Sequence, residues 1–237
     1  MLQVALQYLF EKVAKPEIIP INGKNYTTMS VQPVKESEPA SIPAGTLTGL
    51  VNYITFNPDK LDPGTLFLNV TAHNNVVLRG AIRGDFNQRF AYLTAHLPEE
   101  IPFPWGRFQD IEEFIIAIQS RFVQDESTQS ILQFVSSIKD EHVKTSQDDG
   151  ISQTVTAKVG IARVAEVTVP NPVVLQPYRT FPEIEQPKSK FVFRMRSGTD
   201  LPTCALFEGD GGRWKVDAIF SIREYLQNAL PEVTIVA

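Results

Sequence analysis

Residues 65–82 read TLFLNVTAHNNVVLRGAI, and this stretch decides the class of fold. Leu66, Leu68 and Val70 fall on one face of an extended chain, while polar residues follow Leu68 and Val70 on the other face. The turn-forming residues at 73–75 then lead into a second apolar run. The stretch therefore predicts a β-hairpin, which is the elementary unit of antiparallel sheet.

Further strands are predicted on both sides of this hairpin. IIPINGKNYTTM (18–29) carries Asn22-Gly23 between apolar residues, a strong signal for a second hairpin. TVTAKVGIARVAEVTV (154–169) is rich in β-branched residues, which favour strands. KFVFRMR (190–196), TCALFE (203–208) and RWKV (213–216) together predict a β-meander.

The six prolines from Pro170 to Pro202 constrain the chain between the strands. Proline lacks the N–H that a central strand needs. We expect PNPVVLQPYRTFPEIEQP (170–187) to run as an extended edge or surface segment.

Helices are predicted where apolar residues recur at intervals of three and four. Such a stripe follows Asp110, which together with Glu113 forms a variant of the capping box. Helices are predicted at 110–122 and 128–139, joined by a short polar link that favours an antiparallel pair. Others are predicted at 1–14, in a short segment ending before Pro58, and from about 217 to 230. The expected class is α+β, a mostly antiparallel sheet with packed helices.

The chain also suggests its own division into parts. Residues 1–31 predict an N-terminal appendage made of a helix and a hairpin. QPVKESEPASIPAG (32–45) is rich in proline, glutamate and serine, as exposed connectors are. Residues 46–237 are then the main α+β domain.

Composition limits the functional classes. The net charge of −5 disfavours a protein that coats DNA through a broadly basic surface. The single cysteine, Cys204, excludes an intrachain disulfide and a cysteine-based zinc site within one chain. The N-terminal stretch lacks the basic start of a signal peptide, and no apolar run is long enough to span a bilayer. These features predict a cytoplasmic protein with no membrane association.

Known catalytic and cofactor motifs are not found. GxxxxGK[ST], GxGxxG and GxSxG do not occur, and His73, His96 and His142 are far apart in sequence. The acidic stretches at 148–150 and 208–212 lack the alternating oxygen ligands of a calcium loop. We therefore predict no catalytic residue, metal site or cofactor, while noting that distant carboxylates can still converge in a fold.

A basic strand face is the first candidate binding surface. Lys190, Arg194 and Arg196 share one parity of their predicted strand, and Arg213 and Lys215 repeat the spacing in the predicted strand at 213–216. Such a face could bind the phosphates of a nucleotide or of a single strand. The alternative is a solvated sheet face with acidic partners.

The loop IPFPWGRF (101–108) is the second candidate surface. Phe103, Trp105 and Arg107 are residue types common at interaction hot spots. The alternative is that the aromatic side chains of this loop fill the core beside the helix at 111.

Several stretches resemble a known but uncharacterised protein family. They are LTGLVNYI (47–54), the helix at 110–122, VTVPNPVVLQPYRTFPEIEQPKSKFVFRMRSG (167–198) and ALFEGDGGRWK (205–215). The family belongs to tailed phages and prophages, mainly of Gram-positive hosts. The resemblance implies an origin, but it implies no mechanism and no functional residues.

We therefore expect a phage-encoded, non-enzymatic binding protein that acts on a host protein or a nucleotide during infection. Its apolar N-terminal helix predicts a homo-oligomer. A nucleic-acid accessory factor in phage replication or recombination is one alternative. A nuclease or nucleotide hydrolase is the other.

Overall fold

The computed structural model describes residues 2–13, 16–27, 37–84, 87–98, 103–137, 144–148, 153–159, 163–168, 171–196 and 202–237. The chain divides into two compact units. The first comprises Met1–Glu38 with Ile82–Gln88, and the second comprises Pro39–Ala81 with Arg89–Ala237.

The first unit contains a helix and a hairpin. Helix α1 spans Leu2–Val13, and strands β1 (Ile18–Ile21) and β2 (Lys24–Thr27) pair antiparallel. Asn22 and Gly23, at the turn, have φ of 52° and 75°. Positive φ at both positions is what a tight hairpin turn requires, so this predicted hairpin is confirmed.

The second unit holds the remaining elements. Its helices are α2 (Leu47–Phe56), α3 (Ile111–Arg121), α4 (Glu126–Ser137) and α5 (Arg213–Ala229). Its strands begin with β3 (Ile42–Ala44), β4 (Leu66–Ala72), β5 (Asn75–Gly80), β6 (Ala91–His96) and β7 (Gln109–Asp110). They continue with β8 (Lys144–Asp148), β9 (Gln153–Val159), β10 (Arg163–Thr168), β11 (Val173–Leu175), β12 (Ser189–Arg196), β13 (Thr203–Glu208) and β14 (Thr234–Val236).

The predicted hairpin at 65–82 forms the centre of one sheet, which we call the β4 sheet. In the described part of the chain its strand order is β14-β4-β5-β6-β3. The two end strands are parallel to their neighbours, and the inner pairs are antiparallel. Leu68 and Leu78 are fully buried, and they pack in one cluster with Leu50 of α2 and Ile222 of α5. Strand β3 lies within the segment 32–45.

A second sheet, the β12 sheet, has the order β11-β12-β13-β7 among the described strands. Phe191, Phe193 and Met195 alternate into the core, as their shared parity predicts. Helices α3 and α4 pack on each other and on the hydrophobic cluster that these three side chains join. The Asp110 side chain caps α3 by accepting a hydrogen bond from the Glu113 N–H.

A third group, β10-β9-β8, is antiparallel and contains the strands predicted after residue 150. The α+β class with mostly antiparallel sheet is confirmed. Within the described ranges, none of the helices has both the length and the apolar character needed to cross a membrane.

The predicted third strand of the meander is wrong. Residues 213–216 are the first turn of α5, which begins at Arg213. Gly211 and Gly212 have φ of 63° and 81° and redirect the chain. Trp214 then starts a buried stripe that continues at four-residue intervals to Leu226. Four residues are too few to separate a strand period from a helix period.

The proline-rich segment is confirmed as lying outside the middle of a sheet, since β11 is an edge strand. The expectation that it lies at the edge or on the surface holds only for parts of it. Gln176, Thr180, Phe181 and Gln186 are buried. Their backbone and amide groups hydrogen-bond to one another, which satisfies buried polar atoms without a sheet.

Candidate ligand-binding cavity

The structure does not place the five predicted cations on one sheet face. Lys190, Arg194 and Arg196 lie on β12 with the expected parity, opposite the buried aromatic residues. Arg213 and Lys215 lie on α5 instead, because 213–216 is helical. Arg196 packs its guanidinium 3.9 Å from the centre of the Phe108 ring. The predicted phosphate-binding face thus loses two of its five members.

The predicted interaction loop faces inward for the most part. Phe103 is buried in the core of the β12 sheet, and Trp105 is partly buried against that core. The Trp105 and Phe191 rings stack at 5.0 Å, with an angle of 10° between their planes. Arg107 is exposed. The core-filling alternative therefore describes the two aromatic residues, although both also border a cavity.

This cavity has a volume of about 570 Å³. Binding sites for small ligands commonly have volumes of about 300–1,000 Å³. Its wall is formed by six parts of the chain: the β4–β5 turn, the residues that follow β6, the loop before β7, the end of α3, the proline-rich segment and the start of α5. The described lining residues are His73, Asn74, Leu97, Pro98, Phe103, Trp105, Ser120, Arg121, Pro177, Tyr178, Arg179, Thr180, Pro182, Gln186 and Trp214.

Aromatic rings form much of the cavity wall. Both tryptophans of the chain, Trp105 and Trp214, line it. The His73 ring meets the Trp214 ring edge-on, with 4.7 Å between centroids. Tyr178 adds a ring that is 58% exposed. Walls of this kind suit a flat ring, because indole and phenol faces stack on one.

Arg179 supplies a buried positive charge to the wall. Its guanidinium carbon lies 4.0 Å from the centre of the Trp214 ring and 5.8 Å from that of Trp105. Its Nη1 donates to Glu208 Oε1 at 2.7 Å, and its Nη2 donates to Ser189 Oγ. Burial lowers the pKa of Arg179 to about 10, against the opposing effect of Glu208 and Asp210. The side chain is therefore still a cation at neutral pH.

The backbone that carries Arg179 is held by a buried glutamine. Gln186 Oε1 accepts hydrogen bonds from the N–H groups of Arg179 and Thr180. Its Nε2 donates to the carbonyls of Thr180 and Phe181. The amide thus uses both its acceptor and its donors, which fixes this part of the wall.

Asp210 holds the turn that leads into α5. Its Oδ1 accepts from the Gly212 N–H at 3.0 Å, just before α5 presents Trp214. Burial alone would raise the pKa of Asp210. The Ser189 hydroxyl, the Gly212 N–H, the Arg179 charge and the Trp214 N–H outweigh burial and lower this pKa.

The charged residues among the described lining residues are Arg121 and Arg179, and no aspartate or glutamate is among them. Outside that lining, Glu208 bonds to Arg179, and the charge of Asp210 also acts on the guanidinium. The cavity therefore offers aromatic faces with positive charge, which favours a ligand that is both flat and anionic.

Sequence reasoning identified some of these residues and missed others. Phe103 and Trp105 were predicted as an interaction loop, whereas Arg179, Trp214 and His73 were not singled out as a site. The available signal was an arginine among aromatic and proline residues in QPYRTFP (176–182). This segment forms part of a cavity only in the folded chain, where α5 places Trp214 against Arg179.

Within the described ranges, no group of three or more histidine, cysteine, aspartate or glutamate residues is arranged to hold a metal ion. Cys204 is buried, and burial raises its pKa to about 12, so its thiol stays protonated.

No protein-family model, curated protein or solved structure matches this chain. The resemblance to a phage protein family therefore stays a prediction.

Proposed function

We propose that this chain is a non-enzymatic binding protein whose cavity holds the base of a nucleotide. One observation carries the proposal: both tryptophans and Tyr178 surround a cavity of about 570 Å³ that also contains a buried arginine. A nucleobase is a flat ring attached to an anionic group, so it matches both properties of the wall.

The wall is built to hold a ligand without large rearrangement. Gln186 fixes the backbone of Arg179, and Glu208 holds its guanidinium. Groups that are already ordered lose little conformational freedom when a ligand binds. This preorganisation supports a binding role.

The alternatives receive less support from the described residues. A nuclease or nucleotide hydrolase needs carboxylates that converge on the substrate, and no aspartate or glutamate is among the described lining residues of the cavity. The basic strand face was expected to bind the phosphates of a nucleotide or of a single strand, and two of its five cations, Arg213 and Lys215, lie on a helix instead.

The resemblance to the phage family supports a role during infection in the host cytoplasm. A protein that binds a nucleotide without turning it over would act there by sequestering the ligand or by sensing it. Both roles require a cavity that retains the ligand unchanged.

A thermal-shift screen tests the proposal. The panel contains the four ribonucleoside 5′-monophosphates, a cyclic dinucleotide, NAD and a short single-stranded DNA. A ligand at a hundred times its Kd stabilises the fold by about 2.7 kcal/mol. At about 2–4 °C per kcal/mol, we expect Tm to rise by about 5–11 °C.

Two variants make the screen specific to the cavity. Tyr178→Ser removes a lining ring that is 58% exposed, and Phe220→Ser removes a ring that is 57% exposed on α5 and outside the lining. We expect Tyr178→Ser to reduce the ligand-induced shift and Phe220→Ser to leave it unchanged. A panel without any shift, or equal losses in both variants, would contradict the proposal.

A further inference from the structure

The outer side of the β12 sheet, opposite its buried aromatic residues, keeps three of the predicted cations. Lys190, Arg194 and Arg196 share this side of β12, and two residues along a strand span about 6.8 Å. Lys190 and Arg196 are exposed. Among the described residues, neither of these two has a carboxylate partner. A solvated face neutralised by acidic partners therefore does not describe them.

An exposed aromatic ring lies between these cations. In the register of β12 and β13, Phe207 is diagonally next to both Lys190 and Arg194. Phe207 is 37% exposed. The Phe108 ring meets the Phe207 ring edge-on, with 6.2 Å between centroids, and Arg196 lies over Phe108. Cations and aromatic rings thus alternate along this side of the sheet.

The acidic residues in the described strands of this sheet are held elsewhere. Glu208 pairs with the buried Phe191, so it has the inward parity of β13, and its carboxylate bonds to Arg179. Asp110, at the end of β7, accepts the capping hydrogen bond from the Glu113 N–H. The outer side therefore carries local positive charge in a chain of net charge −5, which favours an anionic partner.

We propose that the outer side of the β12 sheet binds single-stranded nucleic acid, with phosphates on the three cations and a base stacked on Phe207. Proteins that bind single strands without sequence preference combine a positive track for the backbone with aromatic rings for the bases. The four described strands span about 14 Å, which is broader than a duplex major groove of about 12 Å. A duplex therefore fits this surface less well than a single strand.

This surface is separate from the cavity. None of the three cations, nor Phe207, is among the described lining residues of the cavity. The inference therefore goes beyond the proposed function and does not depend on it.

Fluorescence anisotropy with a labelled single-stranded DNA of about 12 nucleotides tests the proposal. Three phosphate contacts predict that the logarithm of the binding constant falls with the logarithm of the salt concentration with a slope of about −2. Raising the salt concentration from about 50 mM to about 200 mM should therefore weaken binding about 20-fold. The duplex of the same sequence should bind more weakly than the single strand.

Two substitutions separate the charge from the ring. Lys190→Gln removes one phosphate contact, so the slope should change to about −1.4. Phe207→Leu should weaken binding by at least about 5-fold at every salt concentration, because stacking is lost, and should leave the slope near −2. Lys215→Gln and Phe220→Leu are the matched controls, since both residues are exposed on α5. The controls should change neither the affinity nor the slope.

Three results would overturn the inference. The first is a Kd above about 100 μM for the single strand at the lower salt concentration. The second is a slope for Lys190→Gln equal to that of Lys215→Gln, or wild-type affinity in Phe207→Leu. The third is competition by a polyglutamate peptide as effective as that by unlabelled DNA, which would make the surface a site for acidic peptides. Should Phe207→Leu not unfold cooperatively, the slope of Lys190→Gln decides by itself.

A cavity variant distinguishes this inference from the proposed function. Tyr178→Ser should leave the affinity for the single strand unchanged, because Tyr178 lines the cavity. If Tyr178→Ser weakens DNA binding as much as Lys190→Gln does, the strand enters the cavity and the inference fails while the proposed function stands. DNA binding that depends on Lys190 and Phe207, together with a nucleotide screen without any shift, would support the inference and contradict the proposed function.

Discussion

The ion pair between Arg179 and Glu208 gives the sharpest prediction about stability. Arg179→Met removes a 2.7 Å bond to Glu208, the bond to Ser189 and the contact with the Trp214 ring. A guanidinium–indole contact contributes about 1 kcal/mol when partly desolvated. A charged hydrogen bond contributes about 1.5–3 kcal/mol.

These contributions must be reduced for solvent exposure. The Glu208 side chain is 37% exposed, so water can solvate its carboxylate once the arginine is gone. Methionine also avoids the cost of burying a charge. We therefore expect Arg179→Met to lower the free energy of unfolding by about 2 kcal/mol, a fall in Tm of about 4–8 °C.

A double-mutant cycle isolates the pair. Glu208→Gln alone should lower the free energy of unfolding by about 1 kcal/mol, because it leaves the buried cation without its closest carboxylate. The double variant should lose about 1 kcal/mol less unfolding free energy than the two single variants lose together. Urea denaturation followed by far-UV circular dichroism at neutral pH measures all four proteins.

The chain contains its own control pair. Arg213 and Asp217 on α5 lie 3.8 Å apart, with side chains 81% and 44% exposed. The cycle of Arg213→Met with Asp217→Asn should give a coupling below about 0.5 kcal/mol, as exposed helix pairs do. A coupling between 179 and 208 that is no larger than this control would refute the reasoning about the buried pair.

Other measurements test further parts of the account. Cys204 should not react with a thiol reagent in the native protein, since burial raises its pKa to about 12, but should react fully in denaturant; rapid native labelling would contradict its burial. The pKa of Asp210 lies below its ordinary value of 3.8 in the folded state, so its contribution to stability is present above that value and is lost as the pH falls through the folded pKa. Asp210→Asn should therefore flatten the loss of stability between about pH 5 and pH 2, and an unchanged slope would argue against this coupling. Asp110→Ala should lower the free energy of unfolding by about 1 kcal/mol in urea denaturation, because the N-cap of α3 is lost. A change near zero would mean that the cap is not formed in solution. Leu2, Val4 and Leu6 of α1 are exposed, so sedimentation at micromolar concentration should show a homo-oligomer, and a purely monomeric sample would contradict this expectation.

Local patterns predicted the parts of the fold that local physics determines. The turn at Asn22-Gly23, the strand at 66–72 and the cap at Asp110 each depend on a few neighbouring residues, and all are present. The start of α5 was missed because the buried stripe from Trp214 to Leu226 outweighs the strand-like pattern of four residues.

The cavity could not be predicted because its members are distant in sequence. His73, Trp105, Arg179 and Trp214 meet only when several elements pack together. Burial of the proline-rich segment likewise depends on Gln186, whose amide satisfies the backbone in place of a sheet. No period or motif in the sequence records either arrangement.

Tryptophan fluorescence gives the most direct test of the cavity as the binding site. Both tryptophans of the chain line it, so a flat ligand inside it must lie close to an indole. The account predicts that titration with the best compound of the screen changes the emission, with the same Kd that calorimetry gives. It also predicts that Trp105→Phe and Trp214→Phe each keep part of this change. Calorimetric binding without any change in emission would place the ligand elsewhere and contradict the account.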